Sequence, residues 1–142
     1  MKSARQLLET KGSDVWSIHP DAAVYDAIKV MADRGVGALM VLDGGAVVGV
    51  ISERDYARKV ILRGRSSKDT AVKEIMTARV VYARPDQTVE ECMALMTEKR
   101  IRHLPVVDGE VLLGVISIGD LVKSMLAEQQ FVIEQLEQYI RM

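Results

Sequence analysis

Between Pro20 and Leu62 the hydrophobic pattern changes twice, from helical to extended and back. Val24, Ala27, Ile28 and Met31 fall at i, i+3, i+4 and i+7, the signature of a helix with one buried face. Asp21 stands ready to cap that helix, and Pro20 holds the residue before it extended. The continuous apolar run Ala38–Leu42 then reads as a strand. Asp43-Gly44-Gly45 turns it into a second strand, Val47–Ile51, as an antiparallel hairpin. At Ser52 the helical pattern returns. With the short extended stretch Trp16–Ile18 ahead of the first helix, the predicted order is β-α-β-β-α.

The same series follows 65 positions later, as Gly49 to Gly114 measures it. Val15–Ile61 lies over Val80–Leu126 without a gap, matching Pro20 with Pro85, Asp21 with Asp86, Met31 with Met96, and Asp43-Gly44 with Asp108-Gly109. The helix stripe becomes Val89, Cys92, Met93 and Met96, and the strands become Leu104–Val107 and Leu112–Ile116. Each copy closes on Gly-Val-Ile-Ser-x-x-Asp, at Gly49–Asp55 and Gly114–Asp120. Identity concentrates at turns, strand ends and helix faces, where backbone and packing restrict residue type.

Sixty residues make a marginal core, so the two copies are expected to pack together with pseudo-twofold symmetry. The fold class is α/β of the α+β kind. Residues 3–62 form the first repeat, with Ser3–Glu9 as its helical lead-in. Residues 63–70, polar and rich in small side chains, form a linker. Residues 71–126 form the second repeat, with Ala71–Thr77 as its lead-in, and residues 127–142 continue as an amphipathic helix. Leu121, Met125, Val132, Leu136, Tyr139 and Ile140 mark its apolar face, which serves either its own core or a second copy of the chain.

Composition narrows the function classes. Nineteen basic against twenty acidic residues leave no single-sign field, which disfavours nucleic acid as a partner. One cysteine and two histidines supply neither an internal disulfide nor a structural zinc set. No signal-peptide pattern opens the sequence, and no apolar stretch approaches the roughly 20 residues of a membrane span. A cytoplasmic protein is expected.

Ser-x-x-Asp at a strand-to-helix turn has two readings. It is a capping box, the serine accepting from an early helix amide and the acid answering it. It also suits a nucleoside phosphate. Free amides and a partial positive charge favour phosphate, the hydroxyl adds a hydrogen bond, and the carboxylate can accept both ribose hydroxyls.

Val15–Pro20, the hairpin sequence His103-Leu104-Pro105-Val106-Val107-Asp108 and the doubled Gly-Val-Ile-Ser-x-x-Asp resemble CBS domains, and the tandem arrangement resembles a Bateman module. The resemblance covers about residues 3 to 126. It implies two clefts that take adenosine-containing ligands such as AMP, ADP, ATP, NAD or S-adenosylmethionine and regulate a separate protein. It also implies shared clefts. In the first, Ser52, Arg54 and Asp55 meet Val81, Tyr82, Arg102, His103 and Leu104. Asp55 takes the ribose diol, Ser52 and Arg54 the phosphate, and Arg102 and His103 add positive charge. In the second, Ser117, Gly119 and Asp120 meet Trp16, Ser17, Ile18, Gly37 and Ala38. Gly119 there replaces Arg54, and Gly37 and Ala38 replace Arg102 and His103, so the second cleft binds phosphate less tightly or borrows charge from elsewhere. No metal is required, magnesium entering only with ATP.

Catalysis is not expected. Neither serine sits in a nucleophile elbow, no Walker sequence is present, and Cys92 falls on a buried stripe. The expected protein is a non-enzymatic sensor, a homodimer that acts on an unidentified regulated protein. The alternative is a structural or protein-interaction dimer with vestigial clefts.

Overall fold

A computed structural model describes residues 2–142. The chain divides into two compact units, one formed by Asp14–Val81 and the other by the N-terminal residues up to Ser13 together with Tyr82–Met142.

In the central unit, β1 (Ser17–Ile18) pairs in parallel with β2 (Ala38–Asp43), which forms an antiparallel hairpin with β3 (Ala46–Ser52). Between β1 and β2 runs α2 (Val24–Arg34). It ends at Gly35, whose φ of 66° is the left-handed cap that glycine adopts without strain. After β3 the chain turns into the short helix α3 (Glu53–Tyr56), which passes into a π-helical turn over Ala57–Ile61. One face of α2 (Val24, Ala27, Met31) closes with Leu39, Val41, Ile51, Val60, Val72 and Ile75 into a single buried cluster.

The other unit repeats this plan. Here α5 (Val89–Lys99) precedes the antiparallel hairpin of β4 (His103–Asp108) and β5 (Val111–Ser117). Residue 100, the counterpart of Gly35, is arginine and holds the same left-handed conformation at φ 55°. The final helix, α6 (Ile118–Arg141), starts at Ser117 and runs 24 residues without interruption. The strands and helices follow the sequence pattern, with boundaries shifted by a residue or two, except that the first strand expected of the second copy is reduced to a single parallel bridge between Ala83 and Val106.

The lead-in segments join the opposite copies from those expected. The N-terminal helix α1 (Ala4–Lys11) packs on the second repeat. Ser3 bridges Thr88, the Ala4 amide donates to the Gln87 carbonyl at 2.7 Å, and the Val89 amide donates to the Lys2 carbonyl at 2.9 Å. The short helix α4 (Val72–Ile75) packs on the first repeat in the same way. Ala71 bridges Ala23, and the Val24 amide donates to the Thr70 carbonyl at 2.8 Å. The exchange explains the glycine of Gly-Val-Ile-Ser. A Cβ on Gly49 would lie 2.5 Å from Met76 Sδ and 3.0 Å from the Thr77 carbonyl, and one on Gly114 would lie 2.8 Å from a Leu8 methyl. Each lead-in therefore lies across its strand where only a glycine leaves room.

Candidate functional site

Both Ser-x-x-Asp turns are complete capping boxes, and each holds a partly buried carboxylate. Ser52 and Ser117 leave their strands in extended conformation, so each hydroxyl faces the first helical turn. At the first turn the Asp55 amide donates to Ser52 Oγ at 3.1 Å. The Ser52 amide and hydroxyl donate to Asp55 Oδ2 at 2.9 and 3.0 Å. At the second the Asp120 amide donates to Ser117 Oγ at 3.2 Å, and the Ser117 amide donates to Asp120 Oδ2 at 2.8 Å. The two carboxylate side chains are 15% and 19% exposed, where an unbalanced charge would be costly.

Each charge is balanced by one lysine, and the two lysines come from unrelated places. Asp55 Oδ1 is met at 3.1 Å by Lys59, one helical turn along the same segment, whose ammonium also donates to the Ile75 carbonyl at 2.8 Å. Asp120 Oδ2 is met at 2.5 Å by Lys11, the last residue of α1, which also donates to the Val115 carbonyl at 2.7 Å. The counterpart of Lys59 in the second repeat is the buried Ser124, which cannot supply the charge. Burial pushes the Asp120 carboxyl up, but the hydrogen bonds from Lys11 and Ser117 outweigh it and hold the group below the usual carboxylate range.

The strand residues stand beside the box of their own repeat. Ala38 is the ladder partner of Ser52, the Gly37 carbonyl accepts from the Glu53 amide at 3.0 Å, and Ser17 and Ile18 run alongside on β1. Trp16 lies just before β1, with Arg34 4.2 Å above its ring, so one face already carries a guanidinium. In the other unit His103 is the ladder partner of Ser117, Leu104 is buried next to it, and the Arg102 carbonyl accepts from the Ile118 amide at 2.9 Å. Tyr82 is largely exposed in this unit, whereas Val81 closes the central one.

His103 does not bring the positive charge expected of it. Burial lowers its pKa from the ordinary 6.5, and the neighbouring Lys11 and Arg102 cations lower it further against the pull of Asp120. At neutral pH it is a neutral imidazole, able to donate or accept one hydrogen bond. The cation beside Asp120 is Lys11 and the one beside Asp55 is Lys59, while Arg102 acts on His103. Gly119, the counterpart of Arg54, is exposed and has open space beside it, a Cβ there coming no closer than 3.6 Å to Ser117 Oγ.

Lys59 was accessible to sequence reasoning, because an acid and a lysine four residues apart on a helix are neighbours. Lys11 was not. It lies 109 residues from Asp120, and only the exchange of lead-in segments brings the two together. A separate cavity in the same unit, at the turn end of the β4–β5 hairpin, is lined by Arg5, Arg84, Asp86 and Asp108. Its charges are paired as Arg5–Asp108 and Arg84–Asp86, which leaves it no net pull on an anion. Among the described residues, no group of three or more His, Cys, Asp or Glu is placed to hold a metal ion, and no helix is long and apolar enough to cross a membrane.

A helix and a hairpin that ends on a capped carboxylate are built twice in one chain, which makes it a duplicated α/β module. The chain belongs to the CBS domain family, whose profile matches residues 8–62 and 72–127. It is 43% identical over 135 residues to the mitochondrial CBS domain-containing protein CBSX3 of Arabidopsis thaliana, covering 92% of this chain and 65% of that protein's length. A CBS-domain protein from Burkholderia ambifaria superimposes with a TM-score of 0.87 at 56% identity, over 90% of this chain and 96% of the other. The CBS domain pair of protein MJ0100, solved with 5′-methylthioadenosine and S-adenosylmethionine, shares the fold at a TM-score of 0.80 and 22% identity, over 90% of this chain and 98% of that one.

Proposed function

We propose that this chain is a non-catalytic sensor that binds an adenosine-containing ligand (AMP, ADP, ATP or NAD) at its Ser-x-x-Asp turns and transmits occupancy to a separate protein partner as a homodimer. The observation that carries this reading is the pair of partly buried carboxylates, each fixed by its serine and balanced by a lysine. A carboxylate has room for about four hydrogen bonds, so Asp120, which accepts from Ser117 and Lys11, retains sites for both hydroxyls of a ribose, and Asp55 gains its second site when the Ser52 hydroxyl turns from it to a phosphate. Ser52 with Arg54, and Arg102 with the neutral His103, then meet phosphate oxygens. Val81 and Tyr82, backed by the buried Leu104, and elsewhere Trp16 and Ile18, supply apolar surface for the base, and Gly37 and Ala38 keep the approach open. The adenosine ligands of MJ0100 support the same ligand class on the same fold.

For such a sensor to signal, the ligand must bind one shape of the protein better than another. The test is calorimetric titration of nucleotide-stripped protein with AMP, ADP, ATP, NAD and S-adenosylmethionine, repeated with Asp55→Asn and Asp120→Asn. Saturable binding, weakened about tenfold or more by one of the substitutions, is expected, since two charge-assisted hydrogen bonds are lost. Absence of heat for every ligand, with an unchanged melting temperature, refutes the reading. It would favour the scaffold alternative, for which the internal satisfaction of both capping boxes by serine and lysine speaks.

A further inference from the structure

From Val122 to Ile140 the last helix carries a second hydrophobic pattern, distinct from the face it turns to its own unit. Leu121 and Ser124 are its buried residues. At about 100° per residue, Val122, Leu126, Gln129, Ile133, Leu136 and Ile140 cluster on a stripe centred about 120° away. They alternate at intervals of four and three residues, the a and d positions of a two-helix seam. Leu126, Ile133, Leu136 and Ile140 are 59%, 48%, 56% and 80% exposed, so nothing in the described chain covers them.

We infer that this stripe is an antiparallel helix–helix interface with a second copy of the chain. The inference makes the homodimer proposed above specific. Antiparallel alignment seats the layers in one common register: Leu126 against Leu136, Ile133 against Gln129, and Ile140 against Val122 of the second copy. The flanks agree with that register. On one side Met125 meets Tyr139 and Val132 meets Val132, all apolar. On the other Gln130 meets Gln130, and Lys123 meets Glu137. Neither Lys123 nor Glu137 has an ion-pair partner among the described residues of its own chain, so the second copy supplies the complement to both. Parallel alignment keeps the apolar layers but mismatches the flanks, because it sets Val132 against Glu137 and Ile118 against Lys123.

Light scattering on the full chain, with Ile133→Glu, Lys123→Glu and Glu137→Lys variants, tests the inference. The wild type is expected to be a dimer, and Ile133→Glu a monomer with unchanged circular dichroism. Lys123→Glu and Glu137→Lys each turn two attractive cross-pairs into two repulsive ones, so each dimer weakens about ten- to thirtyfold at low salt. Mixed in equal amounts, the two charge variants should form a heterodimer of near wild-type affinity, since every cross-pair is then opposite in sign. A monomeric wild type overturns both this inference and the homodimer reading. A dimer that survives Ile133→Glu overturns the interface alone. Loss of the dimer in Ile133→Glu without rescue on mixing overturns the antiparallel register.

Discussion

Replacing Lys11 by methionine removes the only cation that spans from α1 to Asp120 while keeping the length and apolar stem of the side chain. Two hydrogen bonds disappear, a charge-assisted one to Asp120 and one to the Val115 carbonyl. Hydrogen bonds to charged groups contribute about 1.5–3 kcal/mol when sheltered. Lys11 is one-third exposed, so water takes back part of that value and a net loss of about 1–2 kcal/mol is expected. For a chain of this length that lowers the melting temperature by roughly 3–7 °C. In a double-mutant cycle with Asp120→Asn, about 1 kcal/mol or more should appear as coupling.

The pH dependence follows from the direction of each shift. Asp120 titrates below the ordinary 3.8, so its contribution to stability is complete above that value and is lost as the pH falls through its lowered folded-state pKa. The gap between wild type and Lys11→Met should therefore be constant above about pH 5 and close in acid. The imidazole reports the same pair from the other side. Lys11 lowers the pKa of His103 and Asp120 raises it, so NMR titration of the His103 ring should move up in Lys11→Met and down in Asp120→Asn. A coupling below about 0.3 kcal/mol, within the scatter of independent sites, together with an unmoved His103, would refute the reasoning.

Three further outcomes are expected. Gly119→Arg supplies the second turn with the counterpart of Arg54 in open space, so phosphate-bearing nucleotides should bind more tightly at Asp120 by calorimetry, and the chain should gain up to about 1 kcal/mol of helix propensity in denaturant unfolding. Gly49→Ala should cost about 1–3 kcal/mol in the same assay, and more than Gly114→Ala, because its Cβ meets the Thr77 backbone as well as a methionine, whereas Leu8 can rotate away. His103→Gln should flatten the stability-versus-pH curve below pH 6.5: the depressed histidine stabilises the fold in full above that value and loses its contribution as the pH falls through the folded-state pKa.

The local periodicity made the strands, the helices and both capping boxes readable, because each depends on neighbours within about four residues. The stripe Val89, Cys92 and Met96 is buried as its spacing required. The lead-ins were not readable. Ser3 and Ala71 correspond, 68 positions apart where the rest of the repeat keeps 65, but the repeat that each joins, shown by the bridges to Thr88 and Ala23, was hidden. Short amphipathic helices carry no signal of which repeat they cover. The charge state of His103 was equally hidden, since burial and a cation more than ninety residues away in sequence set it.

The two lysines show what the duplicated turn demands. Both repeats bury a carboxylate behind a serine, and the geometry of the box leaves one negative charge to be neutralised. One repeat meets the demand within the helix, at Lys59; the other, where that position is the buried Ser124, meets it from α1. If the carboxylate served only as a helix cap, a serine-capped helix with a shorter or uncharged third residue would cost less desolvation, and no distant lysine would be needed. Thr88 and Glu91 show the cheaper solution in the same chain, with the glutamate left exposed to water. Retaining a sheltered carboxylate twice, with two different chain segments supplying its counter-charge, fits a group kept for what it accepts from outside. Asp120→Asn separates the two roles. An amide keeps an oxygen for the capping bond, so a mere cap should lose less than about 1 kcal/mol of stability once Lys11 is also neutralised. A ligand carboxylate should lose nucleotide affinity in that same Lys11→Met background.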